Sequence, residues 1–251
     1  MRNFLLIIFT IFISLMANAN EDAMHPKKEA WPFDGIFGKV DREAAQRGYK
    51  VYKEVCSACH SMDLIAFRTL TDIGFSKEEV KALAAESQIH DGPNDQGEMF
   101  DRPRTPADFL PAPFPNEQAA RAANNGAYPP DLSLIIKARH DGANYVHALL
   151  NGFTEPNKEG LVIPNGMYYN PYFPGHKIAM APPLAEGQVT FDDGTNSTIE
   201  QMSRDVVVFL QWAAEPEMEV RKRMGIKTMI FLLIFTGFFI VAKRRIWKNV
   251  K

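Results

Sequence analysis

Both cysteines of the 251-residue chain, Cys56 and Cys59, stand three positions apart in EVCSACHSM, and His60 follows directly. Two intervening residues put both sulfurs on one side of a helical turn, where each thiol can add across one of the two vinyl groups of a single porphyrin. The next residue then offers its imidazole to the iron from below. Cys-x-x-Cys-His is accordingly the attachment pattern of a c-type haem. A structural zinc site would need four Cys or His ligands, and the sequence has no second paired cluster. A thioredoxin-like dithiol would sit among alternating strands and helices, which the flanking sequence lacks.

A sixth ligand to the iron has to come from a remote loop. Met62 is too close to His60 to reach the far face. In GHKIAMAPPLA, residues 175–185, Met180 is followed by Ala181, Pro182 and Pro183, a stiff extended segment able to hold a flexible thioether. The residues alone leave Met180 one candidate among eleven methionines, since methionine is more often core filler.

The ends of the chain concern placement rather than chemistry. Arg2, the apolar run Phe4–Met16 and Ala17-Asn18-Ala19 read as a secretory signal peptide over residues 1–19. Residues 228–242, TMIFLLIFTGFFIVA, carry no charge and are bracketed by basic clusters. The segment 225–247 is therefore expected to be a transmembrane anchor. Lys243, Arg244, Arg245, Lys248 and Lys251 place its far end, with the tail 248–251, in the cytoplasm.

All 30 acidic residues lie between Glu21 and Glu219, whereas seven of the 28 basic ones lie outside residues 20–224. That stretch, read as a periplasmic domain, therefore carries a net −9. Nucleic acid is excluded as a partner, and a basic protein is favoured.

Positioning elements follow from caps and periodicity. An extended arm, 20–40, leads to a helix over 41–55 capped by Asp41, which the haem motif closes. SKEEVKALAAES (76–87) starts with a Ser76/Glu79 capping box. The segment 86–118, proline-rich at 103–115, reads as loop. PDLSLIIKA (130–138) and NYVHALLNGF (144–153) read as helices. Ser197-Thr198-Ile199-Glu200 is a second capping box, opening a helix through RDVVVFLQWAAE that should cross the first one.

With these residues in view, four blocks of the chain, 31–62, 121–146, 170–184 and 191–227, closely resemble the cytochrome c1 family, the membrane-anchored haem subunits of ubiquinol–cytochrome c reductases. The resemblance implies one covalent haem c on Cys56 and Cys59, with His60 as proximal and Met180 as distal iron ligand. It implies that Arg139 neutralises a haem propionate, that Tyr145 lies near the haem, and that Asn125, Pro129 and Pro130 line its crevice. From the residues, Arg139 on a mostly apolar helical stretch suggests a buried anionic partner. His90, His140, His147 and His176 are read as non-ligands. Some bacterial members have an extra cysteine pair, which this chain lacks, so its loops must hold without a disulfide.

The expected fold is mainly α: a c-type cytochrome core with long loop insertions and one C-terminal transmembrane helix. The resemblance implies a redox subunit with no independent activity, single-pass in a bacterial inner membrane with the haem domain periplasmic. It would pass electrons from an iron–sulfur (Rieske) subunit to a soluble cytochrome c, beside a cytochrome b subunit, in a dimeric complex. The rivals are a peroxidase-like haem enzyme, which needs an open iron position, and an independent membrane-tethered cytochrome c.

Overall fold

A computed structural model describes residues 23–154 and 160–249 of the chain. The expected signal peptide lies outside the described residues. Helix α1 spans Arg42–Glu54, its Asp41 cap accepting from the Ala44 N–H at 3.1 Å. A single 3-10 turn, Cys56–Ala58, follows it.

The core forms where α1 crosses α6, Ile199–Ala214. Gly48 makes this crossing possible. A Cβ there would stand 2.1 Å from the carbonyl oxygen of Asp205 and 2.8 Å from the Cβ of Phe209, so any larger residue would force the backbones apart. Phe209, fully buried, meets the rings of Tyr49 and Tyr52 from α1 and of Trp212 from its own helix. The α6 cap is Thr198, which accepts from the Gln201 N–H at 3.1 Å. Ser197, expected to cap, is one residue too early, and its hydroxyl is buried without a partner among the described residues.

Around this cross lie α2 (Lys77–Ala85), α3 (Glu117–Ala123), α4 (Ile135–Ala138) and α5 (Gly142–Asn151). Both halves of the Ser76/Glu79 capping box of α2 are made. Helix α4 is a single turn, much shorter than the 130–138 expected, because residues 130–133 spend their polar groups on the haem-motif segment instead. Helix α3, capped by Asn116, was expected to be loop at its start.

The segment 86–118 holds regular structure. Strands β1 (Gln88–Asp91) and β2 (Phe100–Pro103) pair antiparallel, Gln88 opposite Pro103. Arg102 grips Asp91 on one side and Asp108 on the other, the latter through two bonds of 2.7 and 3.0 Å. The prolines lie along residues 65–68, where Phe67 donates to Asp108 and Arg68 to Pro106. This fork of charged bonds supplies the hold that a disulfide would give elsewhere. A second small ladder pairs β3 (Tyr168–Tyr169) with β4 (Lys177–Ile178).

Helix α7 runs without a break from Met218 to Ile246, about 43 Å at 1.5 Å per residue. It is long and apolar enough to cross a membrane, and its apolar window is wholly exposed. The N-terminal arm is tied to the domain by Trp31, whose indole N–H donates to Asn144 Oδ1 at 2.7 Å.

Candidate functional site

His60 is held by one bond that decides its chemistry. Its Nδ1 lies 2.8 Å from the carbonyl oxygen of Pro130. A carbonyl can only accept, so Nδ1 carries the proton and the lone pair of Nε2 is free for a metal. Burial pushes the imidazole below its ordinary pKa, against the pull of Pro130 and Asp131, which favours the neutral, ligating form.

The Pro130 carbonyl is in turn fixed by the residues after it. Asp131 accepts from the Ser61 hydroxyl and the Asp63 N–H, both at 2.8 Å, and from the Ser133 N–H at 2.8 Å. Leu132 N–H donates to Ser61 O at 2.9 Å, and the Ser133 hydroxyl accepts from Leu64 N–H. The loop 130–133 is thus laced to 60–64, which holds the Pro130 carbonyl where the His60 ring meets it. Burial alone would raise the Asp131 carboxyl; its donors overcome that and leave it below its ordinary value. Asp131, Ser61 and Ser133 were missed from the sequence. Asp-x-Ser after two prolines is an Asx-turn signal that could have found them.

In the motif itself, Cys59 N–H and His60 N–H both donate to Cys56 O, at 3.1 and 2.9 Å, closing one helical turn. Cys56 is half-buried and Cys59 exposed, and no disulfide joins them. Burial, with Cys59 adding to it, pushes the Cys56 thiol up to about 12. A redox dithiol depends on the opposite shift.

Exposed apolar side chains lie within four residues of His60 or Pro130 in the chain: Leu64, Tyr128 and Leu134 are 60%, 50% and 47% exposed. Two thiols on one turn, a free imidazole nitrogen and exposed apolar residues nearby in the chain fit a flat, apolar, metal-bearing group.

Met180 belongs to a separate arm. It is half-buried, two residues beyond β4, and Pro182 and Pro183 follow it. That arm hangs on α5 through fully buried Asn170, whose side chain donates to Leu149 O at 2.7 Å and accepts from Tyr172 N–H. Gly152 leaves room for Asn170, since a Cβ there would lie 2.8 Å from its Oδ1.

Arg139 closes the short helix α4. It is exposed and extended at the end of α4, and among the described residues it pairs with no carboxylate. It lies instead against half-buried Tyr145, where burial raises the phenol and the Arg139 charge works the other way. Pro129 is half-buried and Asn125 is exposed, with φ at 52°. The Asn125 amide lies 3.5 Å from the place of a Cβ on Gly166, at the root of the Met180 arm. Of the other histidines, His90 bonds Asp101, His147 lies 3.2 Å from Glu200, and buried His176 donates to Pro171 O. His140 is exposed.

The sequence profile of the cytochrome C1 family matches residues 31–250. A cytochrome b/c1 of Bradyrhizobium diazoefficiens is 52% identical over 93% of this chain, which spans 37% of that longer protein. A cytochrome c1 of Rhodospirillum rubrum is 46% identical over 94% of this chain and 92% of its own length. A mitochondrial protein of Candida albicans named cytochrome b-c1 complex catalytic subunit is 47% identical over 93% and 81%. With the profile covering most of its length and a laced Cys-x-x-Cys-His turn at the centre of its site, the chain belongs to the cytochrome c1 family.

Proposed function

We propose that the chain is the membrane-anchored, electron-transfer haem subunit of a quinol–cytochrome c reductase, taking electrons from an iron–sulfur subunit to a soluble cytochrome c. The observation that carries this reading is the His60–Pro130 bond, which frees Nε2 for iron beside two thiols on one turn. The names of two relatives, cytochrome b/c1 and cytochrome b-c1 complex catalytic subunit, support a cytochrome b partner and membership of such a complex.

In this reading Cys56 and Cys59 would hold one haem c through thioethers, and His60 Nε2 and Met180 Sδ would be the protein's ligands to its iron. When bound, haem supplies a one-electron iron couple, and His/Met ligation raises its potential. The protein does the rest. Asp131 and Ser133 keep Pro130 against His60 and so fix the imidazole's tautomer and orientation. The Pro182-Pro183 segment stiffens the approach of Met180. Arg139, which pairs with no carboxylate among the described residues, is available to a propionate, with Tyr145 beside it, while Asn125, Pro129 and Pro130 line the crevice. Helix α7 anchors the domain on the periplasmic side of an inner membrane, with the C-terminus cytoplasmic and the whole complex dimeric.

Solubilising the membranes in mild detergent and purifying the chain tests the reading. Cytochrome b and an iron–sulfur protein should co-purify in stoichiometric amounts, and the haem colour should stay with the polypeptide after denaturation. A pure chain with covalent haem but without those subunits would make it an independent tethered cytochrome. A haem that binds carbon monoxide in the native protein would favour a haem enzyme.

A further inference from the structure

Residues 31–40 form a turn that hides two aromatic side chains and displays an apolar pair. Trp31 and Phe33 are 6% and 7% exposed and stack 5.5 Å apart. Ile36 and Phe37, three residues on, are 66% and 76% exposed.

The turn is rigid. Asp34 N–H donates to Trp31 O at 3.0 Å, Lys39 N–H to Pro32 O at 2.9 Å, and the Asp34 carboxylate accepts from Trp31 N–H. Gly35 has φ at +68°, and a Cβ on Gly38 would lie 2.1 Å from Asp34 O. The turn is also bolted to the first residues of α7. Lys222 Nζ donates to Phe33 O at 2.6 Å and to Gly38 O at 3.2 Å. Glu219 accepts from Val40 N–H at 3.1 Å and from Arg42 at 2.9 Å. Lys222 is six residues, about 9 Å along the axis, before the uncharged run that starts at Thr228.

From this placement we propose that Ile36 and Phe37 dip into the lipid interface beside the membrane helix, setting the height and tilt of the haem domain above the bilayer. The inference rests on the membrane-anchored reading of α7. Lipid is favoured over a protein neighbour by charge. Lys39 in the turn and Arg223 and Lys227 at the start of α7 are exposed and form no ion pair among the described residues, against one acid in the turn, Asp34, whose carboxylate accepts from Trp31 N–H. An exposed aromatic and branched aliphatic side chain with this excess of unpaired cations match acyl chains below phosphate headgroups. The anchor alone leaves the domain free to swivel about one helix; a second point of contact, rigidly joined to that helix, removes the freedom.

The test uses photo-cross-linking in native membranes, with benzoylphenylalanine incorporated separately at Phe37, at Phe235 inside the span and at Leu64 beside the haem motif. Illumination followed by mass spectrometry should find phospholipid adducts at positions 37 and 235 and none at position 64. Lipid adducts at 235 with a protein adduct at 37 would show that the tip packs on another subunit and overturn the proposal. Lipid adducts at 235 with no adduct at 37 would leave the tip in water and overturn it equally. Absence of lipid adducts at 235 would instead overturn the anchored reading, and the proposal with it.

Discussion

Arg47 on α1 and Asp205 on α6 meet in a two-pronged ion pair at the helix crossing, Nε to Oδ2 at 2.8 Å and Nη2 to Oδ1 at 3.1 Å. It lies one residue from Gly48, where the backbones come closest, so pair and glycine fix the crossing together. Asp205 is 1% exposed. Replacing Arg47 with Met leaves that carboxylate with Gln201 as its remaining side-chain donor. The expected cost is about 3–5 kcal/mol, because a buried charge loses its counter-charge. Asp205→Asn, which removes the charge as well, should cost clearly less. Urea unfolding of both variants against wild type provides the comparison; equal losses would mean that packing, not charge, sets the crossing.

Glu215 joins three elements and makes the fold acid-sensitive. At the end of α6 it accepts from Lys137 on α4 at 2.7 Å and from Arg221 on α7 at 2.5 Å. Burial acts to raise its carboxyl, but the Arg221 and Lys137 bonds prevail and hold it below its ordinary value of 4.5. A depressed carboxylate stabilises the fold above its unfolded pKa, and that contribution fades as pH falls through the lower folded value. Glu215→Gln is expected to lose about 2 kcal/mol at pH 7, with the gap to wild type closing progressively as pH falls below the ordinary value of 4.5. Denaturant unfolding in detergent between pH 3 and 7 measures it. A gap that stays constant with pH would show that shape, not charge, matters at this site.

Met180→Leu should keep the haem covalently attached, since Cys56 and Cys59 are untouched. Loss of the thioether should lower the potential and open the iron to carbon monoxide. A redox titration and a carbon monoxide difference spectrum read both effects. Wild-type potential in a variant still closed to the gas would assign the ligand elsewhere.

The acidic stretch 78–101 shows why counting charges along a chain misleads. Seven acids there face one base, Lys81, in the sequence. In the fold Glu86 pairs with Lys53 at 2.6 Å, Asp91 with Arg102 and Asp101 with His90, while Glu79 caps α2. Glu78, Asp95 and Glu98 remain exposed and without ion pairs among the described residues. They are the ones expected to steer a basic cytochrome c. Neutralising these three to Gln or Asn should slow its reduction several-fold at low salt, and the difference should shrink as the ~10 Å screening length at 0.1 M shortens further. Stopped-flow kinetics across ionic strength test this. Asp192 and Asp193, the alternative surface, are engaged with Lys50 and Arg47. Unchanged rates at every salt concentration would exclude an electrostatic site built on Glu78, Asp95 and Glu98.

Much of the fold was legible wherever neighbours in the chain decide the outcome. Asp41 and the Ser76/Glu79 box start their helices because capping bonds join residues three apart. The crossing of the first and last domain helices was expected, though not that Gly48 permits it. At α4 the reading failed. PDLSLIIKA has an apolar period, yet Asp131 and Ser133 turn their bonds toward Ser61, Asp63 and Leu64, some seventy residues away. No local pattern reveals that competition. The hairpin β1–β2 was missed for the same reason, its register being held by Arg102 and Asp108 across proline-rich chain.

Readable from the chain alone is the chemistry that fits within one turn or one composition window: the Cys56-x-x-Cys59-His60 triplet, the helix caps, the −9 domain and the apolar run after Lys227. It took the folded chain to fix which nitrogen of His60 carries the proton, which acids stay unpaired among the described residues, and that the turn bearing Ile36 and Phe37 is bonded to the start of the long C-terminal helix. Covalent spacing and four-residue hydrogen bonds are set by the chain's own geometry. A carbonyl from residue 130, or an ammonium from residue 222, arrives only after the core has closed and brought distant segments within 3 Å.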